Sequence, residues 1–317
     1  MRIRRIALTI AIGALVSGCA ALAWERSRVD ARVAFSQERY CEAEQAFKAA
    51  VAKAEAFGER DPRLAETLKE FGILYIPAQR PDLVEPLWAR ALAIQESALP
   101  AGDPQTAETV YRLGEVYRYT KRYGEAEQAH RRALAMREKA FVDRELHLVA
   151  ESADALGMTY LAQEKFREAE PLFRRAIRIW SGVYSPPNEA EARVNLGRIL
   201  TATGRAADAL PLYQTALATL ETNQGWHAGQ ASVALSARFE TLITQRDLQR
   251  LSFGWPTPPF PSLVLPAALE SYSQALRALG RTADADAAAT KAAERRAELE
   301  RLLAKRRAEL PAKLPPC

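Results

Sequence analysis

Histidine, cysteine and methionine each occur only three times in 317 residues. The histidines, His130, His147 and His227, share no metal-ligand spacing, and no HExxH, CxxC, GxSxG or phosphate-cradling glycine loop is present. Nucleophilic and metal-centred chemistry therefore have no carrier, and neither enzymatic activity nor a cofactor is expected. Glycine is sparse at 15, and with 48% apolar residues this excludes a low-complexity or disordered chain in favour of a folded, helix-rich one. Strong charge of one sign is missing as well. The formal +5 includes Arg2, Arg4 and Arg5, which lie in a segment expected to be removed, and discounting those three leaves +2. That is too mild for a nucleic-acid partner, and no aromatic-basic motif points to one.

Long apolar runs are confined to one place, Ile6 to Val16, behind the basic head MRIRR and ahead of small residues. This is the layout of a secretory signal. Val16-Ser17-Gly18-Cys19 resembles the lipobox of bacterial lipoproteins. The resemblance implies removal of residues 1–18, lipid attachment at Cys19 and, with Ala20 behind it, delivery to an outer membrane facing the periplasm. An uncleaved inner-membrane anchor is the alternative, because Ile6 to Trp24 is nearly unbroken apolar sequence, close to the roughly 20 residues that span a bilayer. On either reading the arginines stay cytoplasmic and the body is exported.

What the chain has in quantity is a repeated pair of amphipathic helices. In RLGEVYRYTKRYGEAEQAHRRALAMRE, residues 112–138, Gly114 is followed by Tyr117, Ala126 and Ala133. The same offsets give Gly72, Tyr75, Val84, Ala91; Gly157, Tyr160, Ala169, Ala176; and Gly197, Leu200, Ala209, Ala216, with weaker copies from Ala31 and Ser273. Each second helix carries a large inward residue at one fixed place: Phe47, Trp88, His130, Phe173 and Tyr213. Asp61-Pro62 and Asp103-Pro104 are sound helix starts, an N-cap acceptor followed by proline in the first turn.

These offsets resemble the tetratricopeptide repeat, and the period near 42 residues with the string EAEPLFRRAI at 168–177 resembles its kinesin-light-chain-like subclass. The resemblance implies an all-α, right-handed superhelical solenoid of antiparallel helix pairs that binds protein or peptide partners on its concave face. Repeats are expected over 19–225. A degenerate repeat with a Pro/aromatic loop is expected over 226–266, a last repeat and capping helix over 267–310, and a disordered tail over 311–317. Cys41 in the first repeat and Cys317 in the tail should then lie far apart, so no structural disulfide is expected.

Four carboxylates, Glu66, Glu108, Glu151 and Glu191, each precede their repeat's glycine by six residues. Stacking brings them into a row, either as acids favouring helix dipoles or as an acidic stripe for basic peptide groups. Asparagines that the family commonly uses to clamp peptide backbone are matched only by Asn195, so Tyr111, Arg112, Arg118, Tyr119, Asp154 and Arg198 complete the candidate contacts. Phe253, Trp255 and Phe260 among five prolines form either a loop packed on the array, a cover for the groove or a docking element. The expected function is a membrane-anchored scaffold for an envelope, secretion or pilus complex. A regulator of an envelope enzyme and a self-associating structural protein are the other readings.

Overall fold

The structure, a computed structural model, describes residues 2–76, 78–141, 146–183, 185–222, 264–309 and 316–317, with side chains from Gly18 onward except at 303 and 305–309. Among these residues there are twelve helices and no strand. They are α1 Arg2–Ser36, α2 Tyr40–Glu55, α3 Pro62–Leu74, α4 Pro81–Ala98, α5 Pro104–Tyr119 and α6 Tyr123–Ala140. After these come α7 Leu146–Ala162, α8 Phe166–Gly182, α9 Pro186–Ala202, α10 Ala206–Thr222, α11 Val264–Ala278 and α12 Thr282–Glu309. Consecutive helices form six antiparallel pairs, and the fold is an all-α solenoid of stacked pairs. The chain divides into two compact units, one of Met1–Pro100, Arg246–Phe253 and Pro311–Cys317, the other of Ala101–Gln245 and Gly254–Leu310.

The helix starts follow the local chemistry. The Asp61 and Asp103 side chains accept the backbone N–H of Arg63 at 2.9 Å and Gln105 at 2.8 Å, with Pro62 and Pro104 behind each cap. Within each pair the turn is made the same way, by one residue at positive φ just before the second helix. Four of these are not glycine: Glu38 at 57°, Gln79 at 54°, Lys121 at 62° and Glu164 at 56°.

In four of the repeats the signature glycine faces the large residue sixteen positions later. A Cβ added at Gly114, Gly157 or Gly197 would stand 2.6 Å from His130, 2.9 Å from Phe173 or 2.7 Å from Tyr213, and one at Gly72 would run into Trp88. The glycine therefore makes room for the ring that fills the pair's interior. His130 is fully buried in this place, as expected of a core residue. The last pair solves the problem differently: Ala289 stands where the ring would be, Ser273 replaces the glycine, and the Ser273 hydroxyl donates to the Ala285 carbonyl at 2.8 Å.

In the second unit α11 packs against α9 and α10, so the place that follows α9–α10 in the stack is taken by α11–α12. Leu265 and Leu269 join the core of Leu217 and Leu220, and the Tyr213 and Tyr272 rings lie 6.1 Å apart. Pro266 sits in the first turn of α11, where its missing N–H disturbs no helical bond. The segment holding Phe253, Trp255 and Phe260 lies outside the described residues.

One expectation is overturned. Cys41 and Cys317 are joined in a disulfide, with Cα atoms 5.5 Å apart across a sequence separation of 276. Spacing along the chain carried no information about the path of the tail. Its last residue belongs to the unit of α1–α4 and sits at the first turn of α2. Among the described residues no helix is long and apolar enough to cross a membrane.

Candidate functional site

The first helices of the repeats carry the polar side chains that the sequence singled out, and in the second unit α5, α7 and α9 bring several of them together. On α5, Glu115 follows the signature glycine and is only 1% exposed. Its carboxylate accepts both Nε and Nη2 of Arg118, at 3.1 and 2.7 Å, and lies 3.1 Å from His130 Nε2. Burial by itself would push this carboxyl up, but Arg118 and the imidazole N–H outweigh it and hold the group well below the usual carboxylate range. Arg118 is correspondingly fixed as a cation.

On α7 the balance tips the other way. Trp180 Nε1, from α8, donates to Asp154 Oδ2 at 2.5 Å, while Oδ1 is enclosed without a hydrogen-bond partner. Burial pushes the Asp154 carboxyl well up, the indole N–H opposes this, and the negative charges of Glu191 and Glu151 add to it. Glu191 on α9 is also raised, by burial first; attraction to Arg118 works against the rise and repulsion from Glu115 adds to it. Charges on α5, α7 and α9 thus share one neighbourhood, in which Asp154 and Glu191 are the groups with too little positive charge beside them.

Beneath this face runs Arg137 of α6, 2% exposed. Its Nη1 donates to the Leu148 carbonyl at 2.9 Å, Glu151 Oε2 at 2.8 Å and Ser152 Oγ at 2.9 Å, and its guanidinium lies 4.4 Å from the centre of the Tyr111 ring. Arg137 stitches α6 to α7, and reading the sequence for contact residues passed over it. The signal was there: seven residues beyond the large inward residue, the repeats carry Ala54, Gln95, Arg137, Trp180 and Leu220. A charged side chain in that series has to find partners inside the stack, and Trp180 at the same place supplies the Asp154 bond. Glu115 was passed over as well.

The candidate contacts fare differently. Tyr111, Arg112 and Asn195 are buried, so none of them presents a free surface to a ligand. Tyr111 packs beside His130 and Arg137 of α6, the second helix of its own repeat. Arg198 is exposed and donates to Asn195 Oδ1 at 3.2 Å; Arg118, Tyr119, Glu108, Glu151, Asp154 and Glu191 are half-buried. The four-carboxylate row is not a uniform acidic stripe. In the first unit, exposed Glu66 pairs with Arg28 at 2.7 Å, and Arg28 also takes Glu70 at 2.7 Å while lying 4.7 Å from the centre of the Trp24 ring. In the second unit, Glu108 pairs with Arg112 at 3.1 Å and Glu151 with Arg137 at 2.8 Å. Among the described residues no group of three or more His, Cys, Asp or Glu is arranged to hold a metal.

A second regularity links the repeats. The Tyr75 hydroxyl donates to Glu44 of the preceding pair at 3.1 Å, and Tyr160 donates to Glu127 at 3.3 Å. The signature tyrosine is thus a latch between repeats, set against the glutamate that follows the first small residue of the second helix. The family model for the tetratricopeptide repeat matches residues 77–139 and 148–222. Those two stretches are tetratricopeptide repeats. Among solved structures, these repeats are similar to those of a Podosopora anserina putative kinesin light chain with nearly identical repeats, at 19% identity over 63% of this chain and 96% of that one, with a TM-score of 0.54. BtubC (BKLC) from P. vanneervenii matches at 17% identity over 89% and 90% of the two chains, with a TM-score of 0.55. A Rap protein complexed with competence and sporulation factor matches at 15% identity over 88% and 76%, with a TM-score of 0.50. No curated protein matches the sequence.

Proposed function

We propose that the chain is a non-catalytic scaffold that binds a protein or peptide segment on the face of α5, α7 and α9, and that the bound segment carries a cationic group. The observation that supports this reading is the state of Asp154 and Glu191, whose carboxyls are raised first by burial, Asp154 further by the charges of Glu191 and Glu151 and Glu191 further by that of Glu115. A lysine or arginine side chain placed beside them supplies the missing positive charge and is favoured for that reason. The surrounding side chains are held by Arg118, Trp180 and Arg137, so little ordering accompanies binding. The test is calorimetric titration of the purified chain with lysine-bearing and glutamate-bearing peptides of equal length. Asp154→Asn and Glu191→Gln should each weaken the lysine-bearing peptides by about tenfold, the effect of 1.4 kcal/mol. Equal binding of both peptide sets, or affinity untouched by both substitutions, would sink the cationic-ligand reading.

The proposal extends to location: lipid attachment at Cys19, an outer membrane facing the periplasm with an inner-membrane anchor as the alternative, and a role in assembling an envelope, secretion or pilus complex. Cys19 is exposed on α1, five residues ahead of Trp24, the first buried side chain among those described, so an acyl group there leaves the packed body untouched. The Cys41–Cys317 bridge suits an oxidising compartment. Lipidation would confine the chain to a surface and raise its concentration near partners. Intact mass and membrane fractionation of the native chain and Cys19→Ala decide it. Acyl mass on a chain beginning at Cys19, lost in the variant, supports the anchor, and retention of Met1 in both forms overturns it.

A further inference from the structure

The Cys41–Cys317 bridge is held by more than its two sulfurs. Glu44 lies three residues after Cys41 on α2, and its side chain is 2% exposed. Its Oε2 accepts the backbone N–H of Cys317 at 2.7 Å, while Oε1 accepts the Tyr75 hydroxyl at 3.1 Å and Lys48 Nζ at 2.7 Å. Tyr75 and Lys48 hold the carboxylate from α2 and the end of α3 whether or not the tail is there.

The equivalent site two repeats on shows what such a carboxylate does without a tail. Glu127 takes the Tyr160 hydroxyl on one oxygen, Arg131 at 3.1 Å, and on Oε2 the ammonium of Lys165 at 2.9 Å. The counterpart of Lys165 in the first unit is Arg80, five residues after Tyr75. Arg80 turns to Asp82 instead, at 2.6 Å from Nη2, and the Glu44 oxygen that a side-chain cation would fill receives the Cys317 amide. A buried carboxylate oxygen, oriented by two independent donors and lacking its repeat's usual cation, is a receptor for a backbone N–H.

We propose that Glu44 is a positioning residue that docks the tail through the Cys317 amide and sets its thiol against Cys41, making this pair a directed substrate for a disulfide-bearing thiol oxidoreductase or for glutathione disulfide. One chain thiolate attacks the donor disulfide, forming a mixed disulfide and releasing one donor thiolate. The second chain thiolate then attacks the chain sulfur of that mixed disulfide and releases the other donor sulfur. The two chain sulfurs lose two electrons to the donor, and the two protons from the chain thiols end on the two donor thiolates. Cys317 is exposed and Cys41 half-buried, so the donor can reach them. By linkage, the factor by which Glu44 favours docking is the factor by which it raises the effective concentration of one thiol at the other, and hence the equilibrium constant of bridge formation.

The experiment uses the full chain in a Cys19→Ser background, equilibrated against a series of reduced and oxidised glutathione ratios, quenched by alkylation and read by intact mass. The native pair should bridge within the molecule. Glu44→Ala should lower the equilibrium constant by about tenfold, as expected for loss of one hydrogen bond to a charged acceptor. Tyr75→Phe, which leaves the amide seat in place, should stay within about twofold. Because Glu44→Ala also unpairs buried Tyr75, the double variant Glu44→Ala, Tyr75→Phe removes both members of that hydrogen bond along with the amide seat; it should match Glu44→Ala. A native chain alkylated at both thiols throughout, or a double variant that bridges as well as the native chain, would overturn the proposal.

Discussion

A Cβ built on Gly157 would stand 2.9 Å from Cζ of Phe173, the ring that fills the interior of the same helix pair. Phe173 is fully buried, so it cannot swing away without opening the core. Gly157→Ala should therefore destabilise the chain by about 1–3 kcal/mol of overpacking, less the roughly 1 kcal/mol that alanine gains over glycine in a helix. Urea denaturation checks this. A Gly157→Ala, Phe173→Leu double variant should lose less than the sum of its single variants, because the two positions share one space.

The turns offer the opposite case. Glu164 at φ 56° and Lys121 at φ 62° occupy a backbone region where a side chain crowds the following carbonyl, while Gly204 and Gly280 serve the same turn in later repeats. Glu164→Gly should stabilise the chain by up to about 1 kcal/mol, read as a higher urea midpoint with an unchanged slope. A lower midpoint would mean that the Glu164 side chain contributes more than its backbone costs.

Arg137→Met should be among the more damaging single changes outside the apolar core. It leaves the Glu151 carboxylate, the Ser152 hydroxyl and the Leu148 carbonyl without their shared donor. A loss of about 2–3 kcal/mol is expected from a hydrogen-bonded charged group of this kind. Arg137→Lys should recover little, because an ammonium lacks the planar fork and the stacking on Tyr111. Thermal unfolding of the three chains makes the comparison.

Asp154 gives a pH signature. Its carboxyl is raised in the folded chain, chiefly by burial, so the folded state prefers it protonated. Stability is then lost as pH rises from the ordinary aspartate range of about 4 through the folded-state value. Asp154→Asn removes that loss, so the variant should unfold at a higher temperature than the native chain at pH 7.5, and the gap should shrink towards pH 4. Glu115 works in reverse. Its carboxyl is depressed because Arg118 and His130 outweigh burial, so the stability it contributes at neutral pH is lost as pH falls through and below the ordinary glutamate range. Glu115→Gln should be less stable than the native chain at pH 7.5, with the difference shrinking on acidification.

The helix pairs, their register and the ring-bearing position were all legible in the spacing of small and large residues, because those features depend on contacts within one repeat. Gly114 and His130, sixteen residues apart, recur as Gly72 and Trp88, Gly157 and Phe173, and Gly197 and Tyr213, so the periodic sequence states the contact outright. The aspartate caps are more local still. The site was only half legible. That Glu108, Glu151, Asp154 and Glu191 sit on first helices followed from the repeat, but whether each carboxylate is neutralised depends on which arginine reaches it. Glu151 is met by Arg137 from the preceding pair, Glu108 by Arg112 on its own helix, and Asp154 by an indole rather than a cation.

By itself the sequence determined the stack, because a two-helix unit repeated along the chain can bury its apolar faces only against its own kind. The tertiary structure decided what repeats do not encode. It buried Tyr111, Arg112 and Asn195, which the pattern offered as surface. It also brought Cys317 to Cys41 across 276 residues. Periodicity fixes neighbours at a constant spacing, whereas how deeply a polar side chain is buried and where a tail returns depend on the path of the chain in space.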